Sequence, residues 1–301
     1  MPTAVISTTY DDKYLWYLPL TTWVWNKLGV DVVCFMPNKL EKTTYPNKIS
    51  FGDSEPVYML NDPKICLIIN TCYSQKLRLD KRFFTCPEHK EATYAQCSRL
   101  YGACLDLPED EVLISSDADM LVFSDFVCQV HGDKITSYGF DLTPEGQLPI
   151  CYATATVNTW RRVMNLDYGT TSFEDGGVLM YKVKTYQECL DNLLGDIDCE
   201  NMRGNYWAKD QEELASKVFR TKDWFLVQRA KPGTQFADKR YDRDDAYILD
   251  RLSPDTIDYH TNRPGYEDRN FAIILQVLKY HFPDEDFGWL IDYNESYKKL
   301  L

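Results

Sequence analysis

The sequence predicts an α/β fold: a central mixed, mostly parallel sheet flanked by helices. Three observations carry that expectation. Short apolar runs alternate along the chain with longer amphipathic segments, the pattern of strands joined by crossover helices. Gly, Pro and Asn mark many of the joins. The composition, 44% hydrophobic and 26% charged over 301 residues, supplies a large core without the charge excess of a disordered chain.

Residues 3–7 read as a short buried strand, and 15–28 as a helix ended by Gly29. Residues 31–35 read as a second strand, after which 37–63 dissolve into Pro, Asn, Lys and Tyr. The apolar run 65–69 is expected as a third strand. Thr85-Cys86-Pro87-Glu88 has capping-box spacing with Pro in the first turn, which should open a helix through Leu105. Residues 112–115 give a fourth strand, and further strands are expected near Ile135, Ile150 and Val178. Helices follow near Glu188 and Glu213, and a strand-like run ends at Tyr259-His260. A last amphipathic helix over 268–280 carries Phe271, Ile274, Leu275 and Leu278 on one face. The chain lacks a long Pro/Gly hinge, so one domain spanning 1–301 is expected.

Charge narrows the function. The 33 Lys and Arg against 46 Asp and Glu give a net charge of -13, which repels phosphate backbones, and no block of basic residues offsets it. Nucleic acid is therefore not expected as the main partner. Uninterrupted apolar runs such as 65–69 are far short of the roughly 20 residues that span a bilayer. Residues 1–12 carry Asp11 and Asp12 where a signal peptide would be basic, so a soluble, cytoplasmic chain is expected. Ten cysteines without a C-x-x-C pair, among them Cys34, Cys66, Cys97 and Cys104 in apolar patterns, read as free thiols.

The sharpest local signal lies at Ser115-Ser116-Asp117-Ala118-Asp119-Met120, where two carboxylates follow a buried strand. Residues i and i+2 of an extended segment face the same side, so both carboxylates can meet one point. Two negative charges held together need a cation or donors, and a hard divalent ion on phosphate oxygens would serve. The plain alternative is a turn in which Asp accepts backbone N–H groups. His260 ends the last strand-like run, and ligands of open α/β sheets sit beyond strand carboxyl ends. An oxygen and imidazole set suits manganese, although a single loop His is more often solvated. His89, His131 and His281 have no such context.

Taken in order, several segments resemble the GT-A nucleotide-sugar glycosyltransferases of glycosyltransferase family 8, the glycogenin and lipopolysaccharide galactosyltransferase group. Thr8-Thr9-Tyr10-Asp11-Asp12-Lys13-Tyr14 resembles the family's opening Thr-Thr-Asn-Asp-x-Tyr. Ser98-Arg99-Leu100-Tyr101 precedes Asp117-Ala118-Asp119, which matches the D-x-D motif. Phe173-Glu174-Asp175-Gly176-Gly177-Val178 is similar to the acceptor-side strand entry, with Asp175 where the family has Asn. Lys209-Asp210-Gln211 resembles the D-Q pair, and His260 stands at the third metal ligand, followed by Thr-Asn-Arg-Pro-Gly in place of the usual Gly-containing loop with Lys.

The resemblance implies a GT-A fold with a nucleotide-sugar half at 1–125 and an acceptor half at 126–301. It implies that Asp117, Asp119 and His260 hold Mn²⁺ or Mg²⁺ against the diphosphate of a nucleotide sugar, UDP being expected. Thr8, Thr9, Tyr10 and Tyr14 would meet the nucleotide, Ala118 lies between the two aspartates, and Arg99 would reach the donor. Asp175 and Asp210 are the candidate catalytic carboxylates, and Gln211 would bond the donor sugar or the acceptor. Partners are then the donor and a glycan or glycoconjugate hydroxyl. Trp160 and Trp207 are candidates for sugar stacking, with core packing as the plainer reading. A sugar-1-phosphate nucleotidylyltransferase would want a Gly-rich loop where Ser7-Thr8-Thr9-Tyr10-Asp11 has no Gly; a non-catalytic nucleotide-sugar-binding module is the other alternative.

Overall fold

The computed structural model describes residues 1–38, 62–171, 180–195, 208–229, 239–243 and 247–301. Its strands are β1 (Thr3–Ser7), β2 (Asp31–Pro37), β3 (Leu79–Phe84), β4 (Val112–Ser115), β5 (Met120–Val122), β6 (Ile135–Tyr138), β7 (Ala153–Thr156), β8 (Asp167–Thr171), β9 (Met180–Val183), β10 (Trp224–Val227), β11 (Arg240–Asp242) and β12 (Asp258–His260). Its helices are α1 (Asp12–Leu15), α2 (Leu18–Lys27), α3 (Pro63–Ser74), α4 (Glu91–Ser98), α5 (Val157–Met164), α6 (Tyr186–Leu194), α7 (Lys209–Thr221), α8 (Asp268–His281) and α9 (Gly288–Lys298).

A seven-stranded sheet in the order β10-β6-β7-β4-β1-β2-β3 forms the centre. Only β7 runs against the rest, so the sheet is mixed and mostly parallel, as expected. Successive side chains of a strand face opposite sides, and the two cores follow that rule. Ala4, Ile6, Val32, Cys34, Met36 and Ile114 join α2, α3, α8 and α9 on one face. Val5, Val33, Phe35 and Leu113 join α4, α5, α6 and α7 on the other. Each such Val, Ile or Leu taken out of water contributes about 1.5–3 kcal/mol. A three-stranded sheet, β11-β12-β5, and the β8-β9 pair hold the other strands among the described residues.

Several expectations need correction. Residues 65–69 are helical, within α3. The Asp62 carboxylate accepts from the N–H groups of Lys64 and Ile65, Pro63 sits in the first turn, and Ile65, Ile68 and Cys72 are buried at helical spacing. A five-residue apolar run cannot by itself separate helix from strand. The third strand is instead β3, whose Asp80, Lys81 and Arg82 suit a sheet edge. The expected helix from Thr85 begins only at Glu91 and continues as a tighter turn over Arg99–Cys104. The Thr85 backbone is engaged by the Gln187 side chain through both its N–H and its C=O, so no capping box forms there. The helix expected over 15–28 divides into α1 and α2, and the strand near Ile150 starts at Ala153. Val178 lies outside the described residues.

Candidate active site

In the sheet, β1 is flanked by β2 and β4, and the chain leaves β1 for β2 and β3 before returning to β4 on the other flank. Such a reversal leaves a crevice beyond the carboxyl ends of the two central strands. A cavity of about 640 Å³ opens there. Thr8 and Thr9 reach it from the end of β1, Asp117 and Asp119 from the end of β4, and His260 from the end of β12.

Local bonds fix the two aspartates. Ser116 N–H donates to the Val5 carbonyl (2.9 Å), extending the β1–β4 pairing by a residue, and a turn then places Met120 N–H 3.3 Å from the Asp117 carbonyl. The Asp119 carbonyl accepts from Thr261 N–H (3.1 Å) and from the Thr261 hydroxyl (2.9 Å). The Ala118 carbonyl accepts from the Thr21 hydroxyl of α2. Antiparallel pairing of β5 with β12 sets His260 opposite Met120. Ligand atoms of Asp117, Asp119 and His260 thereby lie within 4.8 Å of one another.

The charges around this group are unequal. The guanidinium of Arg99, itself only 6% exposed, pairs with Asp117 and stands 2.7 Å from Asp210 Oδ2. Burial alone would raise Asp117, but Arg99, His260 and Arg240 outweigh it and hold its carboxyl below the usual range. Burial raises Asp119, aided by the Asp117 charge and opposed by His260 and Arg263. Its Oδ2 lies 3.1 Å from Arg263 Nε, 3.4 Å from His260 Nε2 and 3.6 Å from Arg243 Nη1, yet accepts no aligned hydrogen bond. A buried carboxylate oxygen without a hydrogen-bond donor, beside a second carboxylate and an imidazole, is a fitting donor set for Mn²⁺ or Mg²⁺. A divalent charge would reverse the upward shift of Asp119.

The remaining candidates divide. Thr8, Thr9, Tyr14, Arg99, Ala118, Asp210 and Gln211 all line the cavity. Thr8 is buried, its N–H bonded to the Phe35 carbonyl at 3.1 Å. The Arg263 guanidinium sits 4.7 Å from the Tyr14 ring centroid and donates to the Tyr14 hydroxyl. Asp210 is buried and raised by that burial, with Arg99 opposing; its Oδ1 accepts from Gln211 N–H at 2.8 Å. Arg99 is therefore a buried bridge between two carboxylates, not a solvated charge on a helix face. Tyr10 is not part of the cavity lining and packs, half-buried, against the core. Trp160 is buried too, its Nε1 donating to the Leu113 carbonyl, which makes it core. Asp175 and Trp207 lie outside the described residues.

Arginines are what the sequence reading missed. Arg229, Arg240, Arg243 and Arg263 join Arg99 in lining the cavity. Composition reports a chain of net charge -13, and no linear block of basic residues exists, because the fold gathers these side chains from four separate segments. The Arg240-Tyr241-Asp242-Arg243 spacing was the one local trace.

No family model matches the sequence, and no curated protein is similar to it at the sequence level. Among solved structures, the chain is similar over nearly its whole length to glycosyltransferases. The glycosyltransferase GlyE of Streptococcus pneumoniae TIGR4 superposes with a TM-score of 0.47 at 12% identity, over 99% of this chain and 63% of that one. This chain thus spans less than two thirds of GlyE. The galactosyltransferase LgtC, in complex with donor and acceptor sugar analogs, superposes with a TM-score of 0.47 at 10% identity, over 97% of this chain and 99% of that one. These are likenesses in the course of the chain, and the chemistry below is taken from the cavity's own side chains.

Proposed function

We propose that the chain is a divalent-metal-dependent GT-A glycosyltransferase that moves a sugar from a nucleoside diphosphate sugar, UDP being the expected nucleotide, to a hydroxyl of a glycan or glycoconjugate. One observation carries the reading: Asp117, Asp119 and His260 converge at the switch point of the sheet, with a buried oxygen of Asp119 lacking a hydrogen-bond donor. In the transfer, the bond from the anomeric carbon to the diphosphate breaks, the acceptor oxygen takes its place, and the hydroxyl proton passes to the departing diphosphate or to a carboxylate base. The departing diphosphate gains negative charge, which bound Mn²⁺ or Mg²⁺ would stabilise as a Lewis acid.

The chain's own groups supply the rest. Asp117, Asp119 and His260 would hold the ion, and Arg263 and Arg243, already the cations nearest Asp119, would meet phosphate oxygens. Arg99 fixes Asp117 through its pairing with buried Asp210, so those two act together with Gln211 at the donor sugar. Thr8, Thr9 and Tyr14 would take the nucleoside, with Arg263 over Tyr14 limiting that ring's motion. Asp175 and the acceptor half, 126–301, complete the proposal.

Titration of UDP with and without Mn²⁺ tests it. Affinity should rise at least about tenfold with the ion, the equivalent of 1.4 kcal/mol; equal affinity in both conditions would reject the metal-held diphosphate. Asp119→Ala should abolish transfer while leaving the circular dichroism spectrum unchanged, and retained turnover would reject the assignment.

A further inference from the structure

One arginine touches two of the three candidate metal ligands. Arg243 follows β11; its Nη2 lies 2.9 Å from His260 Nδ1 and its Nη1 lies 3.6 Å from Asp119 Oδ2. A guanidinium has donors and no acceptor, so Nδ1 accepts, and the single proton of the neutral imidazole then sits on Nε2. That nitrogen faces Asp119 Oδ2 at 3.4 Å. A neutral imidazole has one ring lone pair, which either a donor or a metal ion can take. Arg243 and a divalent ion are therefore alternatives at His260, and both draw on the same oxygen of Asp119.

The hold of Arg243 on these two groups is incomplete. Its Nη1 is buried and lies near Asp119 without an aligned hydrogen bond. A phosphate presents two ionised oxygens to the guanidinium fork, a better match than one ring nitrogen and one misaligned carboxylate oxygen. The main chain need not follow the side chain. The Arg243 carbonyl accepts from Asn262 Nδ2 at 2.7 Å, and Asn262 Oδ1 in turn accepts from the Tyr259 hydroxyl of β12. That anchor keeps residue 243 beside His260 whichever partner its guanidinium takes. Arg263 reaches Asp119 Oδ2 as well, at 3.1 Å, but its guanidinium also donates to the Tyr14 hydroxyl.

We infer that Arg243 couples nucleotide to metal: its guanidinium covers His260 and Asp119 until a diphosphate draws it away, which frees those ligand atoms for the ion. The inference rests on the glycosyltransferase reading and deepens it, because it names the residue that makes the two ligands cooperative. Coupling of this kind is reciprocal, so UDP tightens Mn²⁺ by the same factor as Mn²⁺ tightens UDP.

The experiment measures Mn²⁺ binding from the electron paramagnetic resonance of the free ion, first without nucleotide and then at saturating UDP. In the wild type, UDP should tighten Mn²⁺ at least about tenfold, the counterpart of the effect of the ion on UDP. Arg243→Met removes the charge and the donors at similar length. Without UDP it should bind Mn²⁺ about fivefold tighter or more, and with UDP no tighter than the wild type, so the enhancement by UDP falls by about the same factor. Arg243→Lys keeps the charge without the two-armed reach and should lie between. Thermal melting checks folding, and Arg243→Lys alone decides if the Met variant does not fold. Mn²⁺ binding no tighter than wild type in the folded variants without UDP overturns the inference. A gain equal with and without UDP overturns it too, since loss of a nearby charge would produce that alone. Wild-type Mn²⁺ affinity unmoved by UDP overturns the glycosyltransferase reading itself, a different failure from a large enhancement that survives in the variants.

Discussion

The two larger sheets of the molecule are built from similar backbone and opposite side chains. The seven-stranded sheet buries Ala4, Val5, Ile6, Val32, Val33, Leu113 and Ile114, apolar on both faces. In the three-stranded sheet β11-β12-β5, one side holds Tyr241, Tyr259 and Leu121 in register, apolar and buried. Its other side places Arg240 beside Asp258 and Asp242 beside His260, and three of these four line the cavity. Burial stabilises the first sheet directly. In the second, burial of charge costs free energy that is recovered only while every ion keeps its partner. The site sits where the two sheets meet, so the sheet that supplies His260 is also the one whose stability depends on pairing.

The sharpest way to break this comparison is Arg240→Ala. Removing Arg240 takes the nearest cation from Asp258, which is 0% exposed, and the loss should be about 3–5 kcal/mol. Replacing both, as Arg240→Met with Asp258→Leu, should recover most of that loss. Urea unfolding midpoints read both effects. A single variant costing as little as a surface pair, about 1 kcal/mol or less, would place the two sheets on the same footing.

A smaller effect joins the sheets. Gly265 follows β12 and presses on the Trp16 ring and the Tyr17 hydroxyl, so an added Cβ would fall inside their van der Waals surface. Both aromatics are buried. Gly265→Ala should cost about 1–3 kcal/mol by overpacking. Because Arg263 lies two residues away, the same variant should also weaken Mn²⁺-dependent UDP binding. Unchanged stability would mean that the loop after β12 yields freely. In the large sheet, Ile6→Val is the matching control, with an expected loss of about 0.5–1.5 kcal/mol and no change in UDP affinity. A loss above the glycine variant would invert the ranking.

The same contrast explains what was legible in the sequence. Strands of the large sheet, such as 3–7 and 112–115, announce themselves as apolar runs because both their faces are buried. β3 escapes because an edge strand carries charge, and 65–69 misleads because five apolar residues fit a strand or a buried helix turn equally. α9 went unread although Leu290, Tyr293 and Tyr297 have helical spacing and are buried, since tyrosine is abundant throughout this chain. Of the site, the aspartates and His260 were legible from position at strand ends. Tyr10, placed with its neighbours by motif alone, instead packs on the core. The arginines of the cavity left only the short Arg240-to-Arg243 trace in the sequence, being gathered by the fold from distant segments.

The smallest expected effect tests the apolar side of the three-stranded sheet. His281, at the end of α8, stacks on Phe123 at 3.9 Å between ring centroids and 5° between planes, with Tyr241 of β11 at 5.9 Å. Its Nε2 is buried without a hydrogen-bond partner, and burial pulls its pKa down from 6.5 to about 4. The folded state therefore keeps the ring neutral where the unfolded chain already binds a proton. Between about pH 6.5 and 4 the unfolded state holds more protons, so stability falls as pH falls through that window and is unaffected above it. His281→Phe preserves the stacking and removes the titration. Melting temperatures of the two proteins should run parallel above pH 7 and separate by about 2–4 °C at pH 4.5, with the variant higher. Carboxylates such as Asp117, whose depressed pKa also weakens the fold in acid, act equally in both proteins and cancel in the difference. Curves that stay parallel down to pH 4.5 would mean that this face of the small sheet admits a charge, and the division between its apolar and ionic sides would fail.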